Sequence, residues 1–477
     1  MVRRRESFSA ERRSSGLGRL AALRAFASQR VSDVLAGRSL KEAADNSMRS
    51  VAFDPSDGKA ALSQLPQSPA VFALYGAEEK DEPYIGRTPN LRGRLERLLQ
   101  PSPKHPRRLQ LAGRVRRIEY RLTGSDFESL LIQFELLQEV YGAKALERMH
   151  LRAPAFVRFL GSNPYPRVTV TNKPSQREAD WAYGPFASRA AAERFAEEML
   201  KLFLLRRCTD DLNPDPSHPG CVYSEMKMCL APCYKGCSDD RYAEESGAVE
   251  SFLATRGESK LVVLRAERDK ASEELAFEDA AALHAQVQKV EAVSALAPEL
   301  VQPLSKLRAV ILQSSADPDE VAVFLYQDGR LRGPVPFSTL GMRIQNEQSG
   351  SSSLFAQPMA LEPIPEIRDQ GSAGQGSGIR DQGSEGQGSG APLRIPRTML
   401  EGRMEAVLDE LSKTMEPPGA TTRQGHLALL KRWYYRPEVK REGEVIFPDE
   451  EGRWPLRALL RAAGRVAAKK LAAAKAQ

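Results

Sequence analysis

Long apolar runs are missing from this chain of 477 residues. None approaches the roughly 18 residues that a membrane-crossing helix requires, and the Arg- and Ser-rich start lacks the apolar core of a secretory signal. These absences predict a cytoplasmic protein with no membrane partner. Cysteine is scarce too: there are five, and four fall between Cys221 and Cys237. Without an export signal, such crowding argues for metal or cluster ligation over disulfides. The five histidines, His105, His150, His218, His284 and His426, show neither triad nor metal spacing.

Apolar residues make up 41% and charged residues 27%, ordinary values for a chain able to bury real cores. The length allows several domains. Lys and Arg number 69 and Asp and Glu 62, a net of +7. The sum is uneven: about +6 over residues 1–50, about −5 over 51–393 and about +6 over 394–477. Basic ends suit a polyanion such as DNA, although solvated tails account for charge alone equally well.

The pattern predicts an α+β multidomain protein. Residues 1–50 read as a disordered basic extension. Over 65–160 the order is β-β-α-β-α: strands at Val71–Tyr75 and Pro83–Arg87, a helix with Thr88 as N-cap and Leu91, Leu95, Leu98 and Leu99 inward, a strand at Val115–Leu122, then a helix opened by the capping box Ser125–Glu128. Residues 161–237 form a Cys-rich domain, with a hairpin expected between Tyr165–Thr171 and Trp181–Phe186. Residues 238–300 read as a helical hairpin, and 301–347 as a β-meander turning at Asp328-Gly329. Residues 348–393 hold a twelve-residue Gly/Ser/Gln repeat and read as a flexible linker. Residues 394–477 read as a basic α/β segment with a strand pair at Val445–Phe447 and Trp454.

The stretch from Tyr84 to Arg121 carries 11 Lys and Arg against two acids, Glu96 and Glu119. Such a face suits phosphates, and Arg92 and Arg94 lie in the first turns of a helix. Arg87, Asn90, Lys104, Arg107 and Arg108 extend the same candidate DNA contact.

Tyr84-Ile85-Gly86, followed by Arg87 and Asn90-Leu91-Arg92-x-Arg94, resembles the GIY-YIG nuclease superfamily. Its continuation is similar to the N-terminal half of the incision subunit of excinuclease ABC, the nuclease of bacterial nucleotide excision repair. The resemblance implies a small mixed sheet flanked by helices. It also implies that Tyr84 helps activate the attacking water, that Arg94 stabilises developing phosphate charge, and that a glutamate on the next helix holds Mg²⁺ or Mn²⁺. This chain departs from that pattern. Ala70-Val71-Phe72 replaces Gly-Ile/Val-Tyr, Gln133 stands at the metal-binding glutamate position, and Val157 falls near the family's asparagine. A neutral amide offers a hard cation one carbonyl oxygen and no charge. Glu135, two residues on, points away from Gln133 and is expected with Glu128 on a solvated side.

Cys208, Cys221, Cys229 and Cys233 can close a zinc site or hold an iron–sulfur cluster, and their spacing differs from paired C-x2-C knuckles. The family resemblance, through Cys229-Leu-Ala-Pro-Cys233, implies a [4Fe–4S] cluster, with zinc the alternative and Cys237 a bystander. Residues 271–281 look like the short hairpin by which the family meets the excinuclease helicase subunit, with Leu275 and Phe277 as apolar contacts. Trp433-Tyr434-Tyr435 beside Lys431, Arg432 and Arg436 reads either as a base-stacking cluster or as an amphipathic helix end.

The resemblance spans about residues 65–340. Neither the start of an RNase H-like domain nor Gly-x-Gly hairpins follow it, so at most one incision site is expected. Two functions result: a GIY-YIG-type endonuclease making a single metal-dependent cut near damaged DNA, or a catalytically weakened adaptor that binds DNA and the helicase subunit. A structural RNA-binding role rests on charge alone.

Overall fold

The computed structural model describes residues 48–78, 81–99, 111, 113–209, 212–340, 342–344, 361–363, 397–413 and 416–475. The expected basic extension up to residue 47 and the expected linker, apart from residues 361–363, lie outside the described residues. No described helix is long and apolar enough to cross a membrane. The architecture is mixed α/β with several small antiparallel sheets.

The first sheet joins β1 (Arg49–Ala52), β2 (Ala70–Tyr75), β3 (Tyr84–Thr88) and β4 (Arg117–Leu122) in the order β1-β4-β2-β3. Helix α1 (Gly58–Ser63) links β1 to β2, and neither β1 nor α1 is expected from the sequence pattern. Leu91, Leu95 and Leu99 fall on one stripe of α2 (Leu91–Leu99) and bury against Phe72, Leu74 and Ile118. Thr88 does not cap this helix. It ends the strand, and Asn90 caps instead, its Oδ1 accepting from Gly93 N at 2.8 Å.

Helix α3 (Asp126–Tyr141) covers the other side of the sheet. Ser125 Oγ accepts from Glu128 N at 3.1 Å, while the Glu128 carboxylate accepts from Gly124 N rather than closing the box on Ser125. Phe127, Leu130, Leu131, Phe134 and Leu137 are all buried, as their spacing predicts.

The second sheet has the order β6-β5-β7-β8, from β5 (Ala155–Phe159), β6 (Val168–Thr171), β7 (Ala182–Phe186) and β8 (Gln302–Pro303). The expected hairpin does not form, because β6 and β7 each pair with β5 instead of with one another. A short, mostly apolar run such as Ala-Phe-Val-Arg-Phe is ambiguous by periodicity, which hides β5 from sequence reading. Helices α4 (Arg189–Leu200), α5 (Asp239–Ala254), α6 (Glu258–Glu273) and α7 (Phe277–Ser294) share one core with this sheet through Phe195, Phe252, Leu261 and Val290.

The third sheet contains β9 (Ala309–Ser314), β10 (Glu320–Gln327) and β11 (Arg330–Ser338), the last two joined through Asp328 and Gly329 at φ +53° and +76°. Both values are left-handed, as a tight primed turn requires. A separate pair joins β12 (Met342–Ile344) to β13 (Leu361–Pro363). Beyond lie α8 (Arg397–Ser412), α9 (Ala420–Tyr434), β14 (Glu444–Ile446) and α10 (Leu456–Lys475). The strand pair expected with Trp454 is not made: β14 pairs with β9, and Trp454 lies under the Arg308 guanidinium. Chain segments far apart in sequence therefore complete one sheet.

That sheet is buried on both faces, which explains the unbroken apolar run Val321–Tyr326. One face receives α3 and α9 through Phe127, Phe134, Leu430 and Trp433; the other receives α8 and α10 through Met404, Leu408, Leu460 and Val466. A Cβ on Gly425 would stand 2.0 Å from the Phe134 ring, so α9 approaches α3 as closely as glycine allows. Trp433 is 1% exposed with its indole N–H on Glu442 O, and Tyr435 donates to Pro185 O at 2.8 Å. Trp433 and Tyr435 thereby serve as packing residues, in line with the amphipathic helix end.

His426 lies in the same seam, 2% exposed, its Nδ1 accepting from Leu331 N at 3.0 Å. Burial, reinforced by nearby Arg330, drives its pKa down to about 3. A base whose pKa falls on folding contributes stability that is complete above its unfolded value near 6.5 and is lost as pH falls toward 3. Denaturant titrations between about pH 6.5 and 3 should show falling stability, with a shallower slope in His426→Gln. An unchanged slope contradicts the assignment.

Candidate functional site

On β3, alternate residues face opposite ways. Tyr84 packs with the α2-side core, while Ile85 packs toward α3. Phe72 occupies the position where the family pattern has a tyrosine; it is 1% exposed, its ring centroid 6.1 Å from that of Tyr84. A Cβ on Gly86 would stand 2.8 Å from the Phe72 ring, so the Phe-Gly contact fixes the strand pair and leaves Tyr84 half-buried. Arg94 is half-exposed on α2, on the same side of the sheet as Tyr84.

Gln133 lies half-buried on α3, and no hydrogen bond connects it with Tyr84 or Arg94 among the described residues. Three expected DNA contacts have partners inside the protein. Arg92 Nε donates to Leu65 O at 2.6 Å, Asn90 caps α2, and Arg87 forms an ion pair with Asp126. Lys104, Arg107 and Arg108 lie outside the described residues.

Asp126 also takes Arg436 at 2.6 Å, linking α3 to the end of α9. Burial opposes its ionised form, but Arg436 and Arg87 hold its carboxyl below the usual range. Sequence reading misses this pair because 310 residues separate its partners.

The solvated side expected for Glu128 and Glu135 is corrected for the first of them. Glu128 turns toward the sheet, where Arg121 projects from β4. It is 5% exposed, with its carboxylate 3.9 Å from the Arg121 guanidinium. Burial raises Glu128, against the Gly124 N–H and Arg121. Glu135 keeps its exposure to water, yet crowding by protein lifts its carboxyl to about 7, against the attraction of Arg121 and Arg330. The alternation Arg117, Glu119, Arg121 was the available signal for a polar layer here.

The cysteine segment follows α4. All five thiols are free, and Cys233 is the most buried at 7% exposure. Burial raises the Cys229 and Cys233 thiols, and Cys221 and Cys208 raise both further. Cys237 instead responds to burial, Asp239 and Arg241. Lys227, Ala231 and Lys235 all adopt φ near +55°, an uncommon backbone for such residues that bends the segment around the thiols. Among the described residues no three His, Cys, Asp or Glu side chains are arranged to hold a metal ion.

Helices α6 and α7 form a hairpin whose turn carries Leu275 at φ +61°. Leu275 and Phe277 are 70% and 66% exposed, with exposed Glu273, Glu274, Glu278 and Asp279 around them. An acidic tip with two bare apolar side chains suits a partner more than water.

Comparison with known proteins places this geometry in context. Residues 156–252 match the family model described as UvrC/Cho excinuclease, middle domain. The chain is 27% identical over 282 residues to the UvrABC system protein C of Alcanivorax borkumensis, covering 59% of this chain and 45% of that protein. It is 28% identical over 298 residues to the Ruminiclostridium cellulolyticum protein of the same name, covering 61% and 47%. The Pseudomonas protegens protein is 26% identical over 314 residues, covering 66% and 48%. The chain thus spans a little under half the length of these curated relatives. No solved structure matches it. The chain is thus similar to UvrABC system protein C over about 60% of its own length.

Proposed function

From the premise of a UvrC-like middle region, we propose a nucleotide excision repair factor that binds damaged DNA and the excinuclease helicase subunit while its own nuclease centre is weakened. Gln133 carries the reading. It puts a neutral amide where a divalent cation needs charge, and the scaffold around it offers no substitute. Burial pushes the Glu135 carboxyl up to about 7, against the attraction of Arg121. Phe72 adds no hydroxyl beside Tyr84. DNA binding is supported by Arg94, Arg97, Arg114, Arg116 and Arg117, which reach solvent on α2 and at the start of β4.

A second reading, one Mg²⁺- or Mn²⁺-dependent cut near a lesion, is favoured by Tyr84 and Arg94 sharing a side of the sheet. In it Tyr84 would orient water and Arg94 would meet the phosphate.

Cys208, Cys221, Cys229 and Cys233 are the ligands of a [4Fe–4S] cluster in this reading, with zinc the alternative. The influence of Cys208 and Cys221 on both Cys229 and Cys233, from which Cys237 stands apart, supports one shared centre. Such a group supplies a cross-link and, as a cluster, a one-electron couple.

The exposed tip supports the helicase contact. Phe277→Ala should weaken capture of the purified helicase subunit about 30-fold, as for an anchor worth some 2 kcal/mol, and leave the melting temperature unchanged. Unchanged capture contradicts the proposed contact. DNA binding is tested by anisotropy with a lesion-bearing duplex, in which affinity should fall steeply with salt.

A further inference from the structure

Two guanidinium groups from distant parts of the chain meet on one carboxylate. Arg87, near the end of β3, forms an ion pair with Asp126 Oδ1, and Arg436, two residues beyond α9, reaches Asp126 Oδ2 at 2.6 Å. Two cations on one anion leave a positive charge in excess, and each guanidinium keeps N–H groups beyond the one it gives Asp126. All three side chains remain between 27% and 34% exposed, so this bridge reaches solvent. More charge of the same sign lies close by in the sequence: Arg432 is exposed four residues before Arg436, and Lys431 is half-buried next to it. Burial pulls the Lys431 ammonium below its usual range, and the charge of Arg152, itself an exposed residue, pulls in the same direction. The helix dipole accounts for Lys431 and Arg432 in the last turn of α9. It does not account for Arg87 or Arg152, which come from other parts of the chain.

We propose that Arg87, Arg152, Lys431, Arg432 and Arg436 form a second phosphate-contact face, through which the end of α9 takes hold of the backbone of duplex DNA. The inference rests on the reading that the chain binds DNA, and it adds to the arginines of α2 and β4 a face that a distant part of the chain completes. Strand β3 lies at the edge of its sheet. Tyr84 and Arg94 lie on one side of that edge, and Arg87 with Asp126 on the other. Three residues of strand separate Tyr84 from Arg87, about 10 Å. That is the axial span of about three phosphates of one DNA strand, so a single backbone crossing the edge meets both sides. Asp126 fixes the two guanidiniums side by side without cancelling their charge. Trp433 and Tyr435, interleaved with these cations, are used in packing, so the face meets phosphates and does not stack on bases.

The test uses the whole chain and fluorescence anisotropy with a lesion-bearing duplex and its undamaged counterpart over a range of salt. Lys431→Gln and Arg436→Gln should each weaken binding of both duplexes about tenfold, the effect of one hydrogen bond to a charged group. Each should also lower the slope of log affinity against log salt by about 0.9. Arg465→Gln, which breaks another arginine–carboxylate pair, with Glu444, should change neither. Asp126→Asn separates contact from structure: it breaks the same bridge as Arg436→Gln but takes a negative charge off the face, so binding should hold or tighten. A merely structural strap would weaken binding equally in both, and that result overturns the inference. If Arg436→Gln is insoluble, Lys431→Gln and Arg432→Gln decide, since neither side chain belongs to the bridge. Wild-type protein that binds no duplex overturns the DNA reading and this inference together. Wild-type binding whose salt slope is unmoved by the Lys431, Arg432 and Arg436 variants overturns this inference alone, and tighter binding of an RNA duplex overturns it in favour of RNA.

Discussion

Gln133→Glu is expected to raise Mg²⁺-dependent nicking of a lesion-bearing duplex about 100-fold above wild type. The magnitude is that of restoring one charged group at a reacting phosphate. Tyr84 and Arg94 already share a side of the sheet, and α3 is held by Phe127 and Phe134 in the central core. The substitution alters no packing contact on that buried stripe. Adding Arg94→Ala should return nicking to the wild-type level, because the arginine meets charge that develops only when the cation and water are in place. Equal, low activity in wild type and Gln133→Glu would show that the carboxylate is not the missing part and would shift attention to Phe72.

The second large effect concerns the thiols. Cys229→Ser or Cys233→Ser should abolish iron retention and open residues 204–237 to proteolysis, whereas Cys237→Ser should change neither. The segment's regular structure among the described residues is short: a helical turn at Val222–Glu225, a single turn at Pro232–Tyr234, and several residues in left-handed backbone. A bound cofactor in such a segment contributes folding free energy directly. Retained iron in Cys233→Ser, or an equal loss in Cys237→Ser, would contradict the ligand assignment.

Much of the fold could be read from local pattern. The stripe Leu91, Leu95, Leu99, the inward set on α3 and the Asp328-Gly329 turn emerged as their periods and turn chemistry predict, because each is decided within a few residues. The errors arose where the deciding partner lies far along the chain. Strand β14 joins β9 across more than a hundred residues, β5 captures two strands expected to pair with each other, and Asp126 takes Arg436. Local amphipathicity could not place Glu128 either. On a helix packed on two sides part of the polar stripe is buried too, and Arg121 makes that tolerable. For the candidate site, motif spacing singled out Tyr84, Arg94 and the cysteines. It could not reveal that Arg87, Asn90 and Arg92 have partners within the protein.

The central claim, binding retained while cutting is weakened, is tested most directly by one incubation. A lesion-bearing duplex labelled on both strands is mixed with wild-type protein, the excinuclease helicase subunit and Mg²⁺, and bound and nicked fractions are read from the same sample. The account predicts duplex held in complex with nearly all strands intact. Rapid nicking by wild type that Arg94→Ala abolishes would contradict it and establish the single-cut nuclease instead.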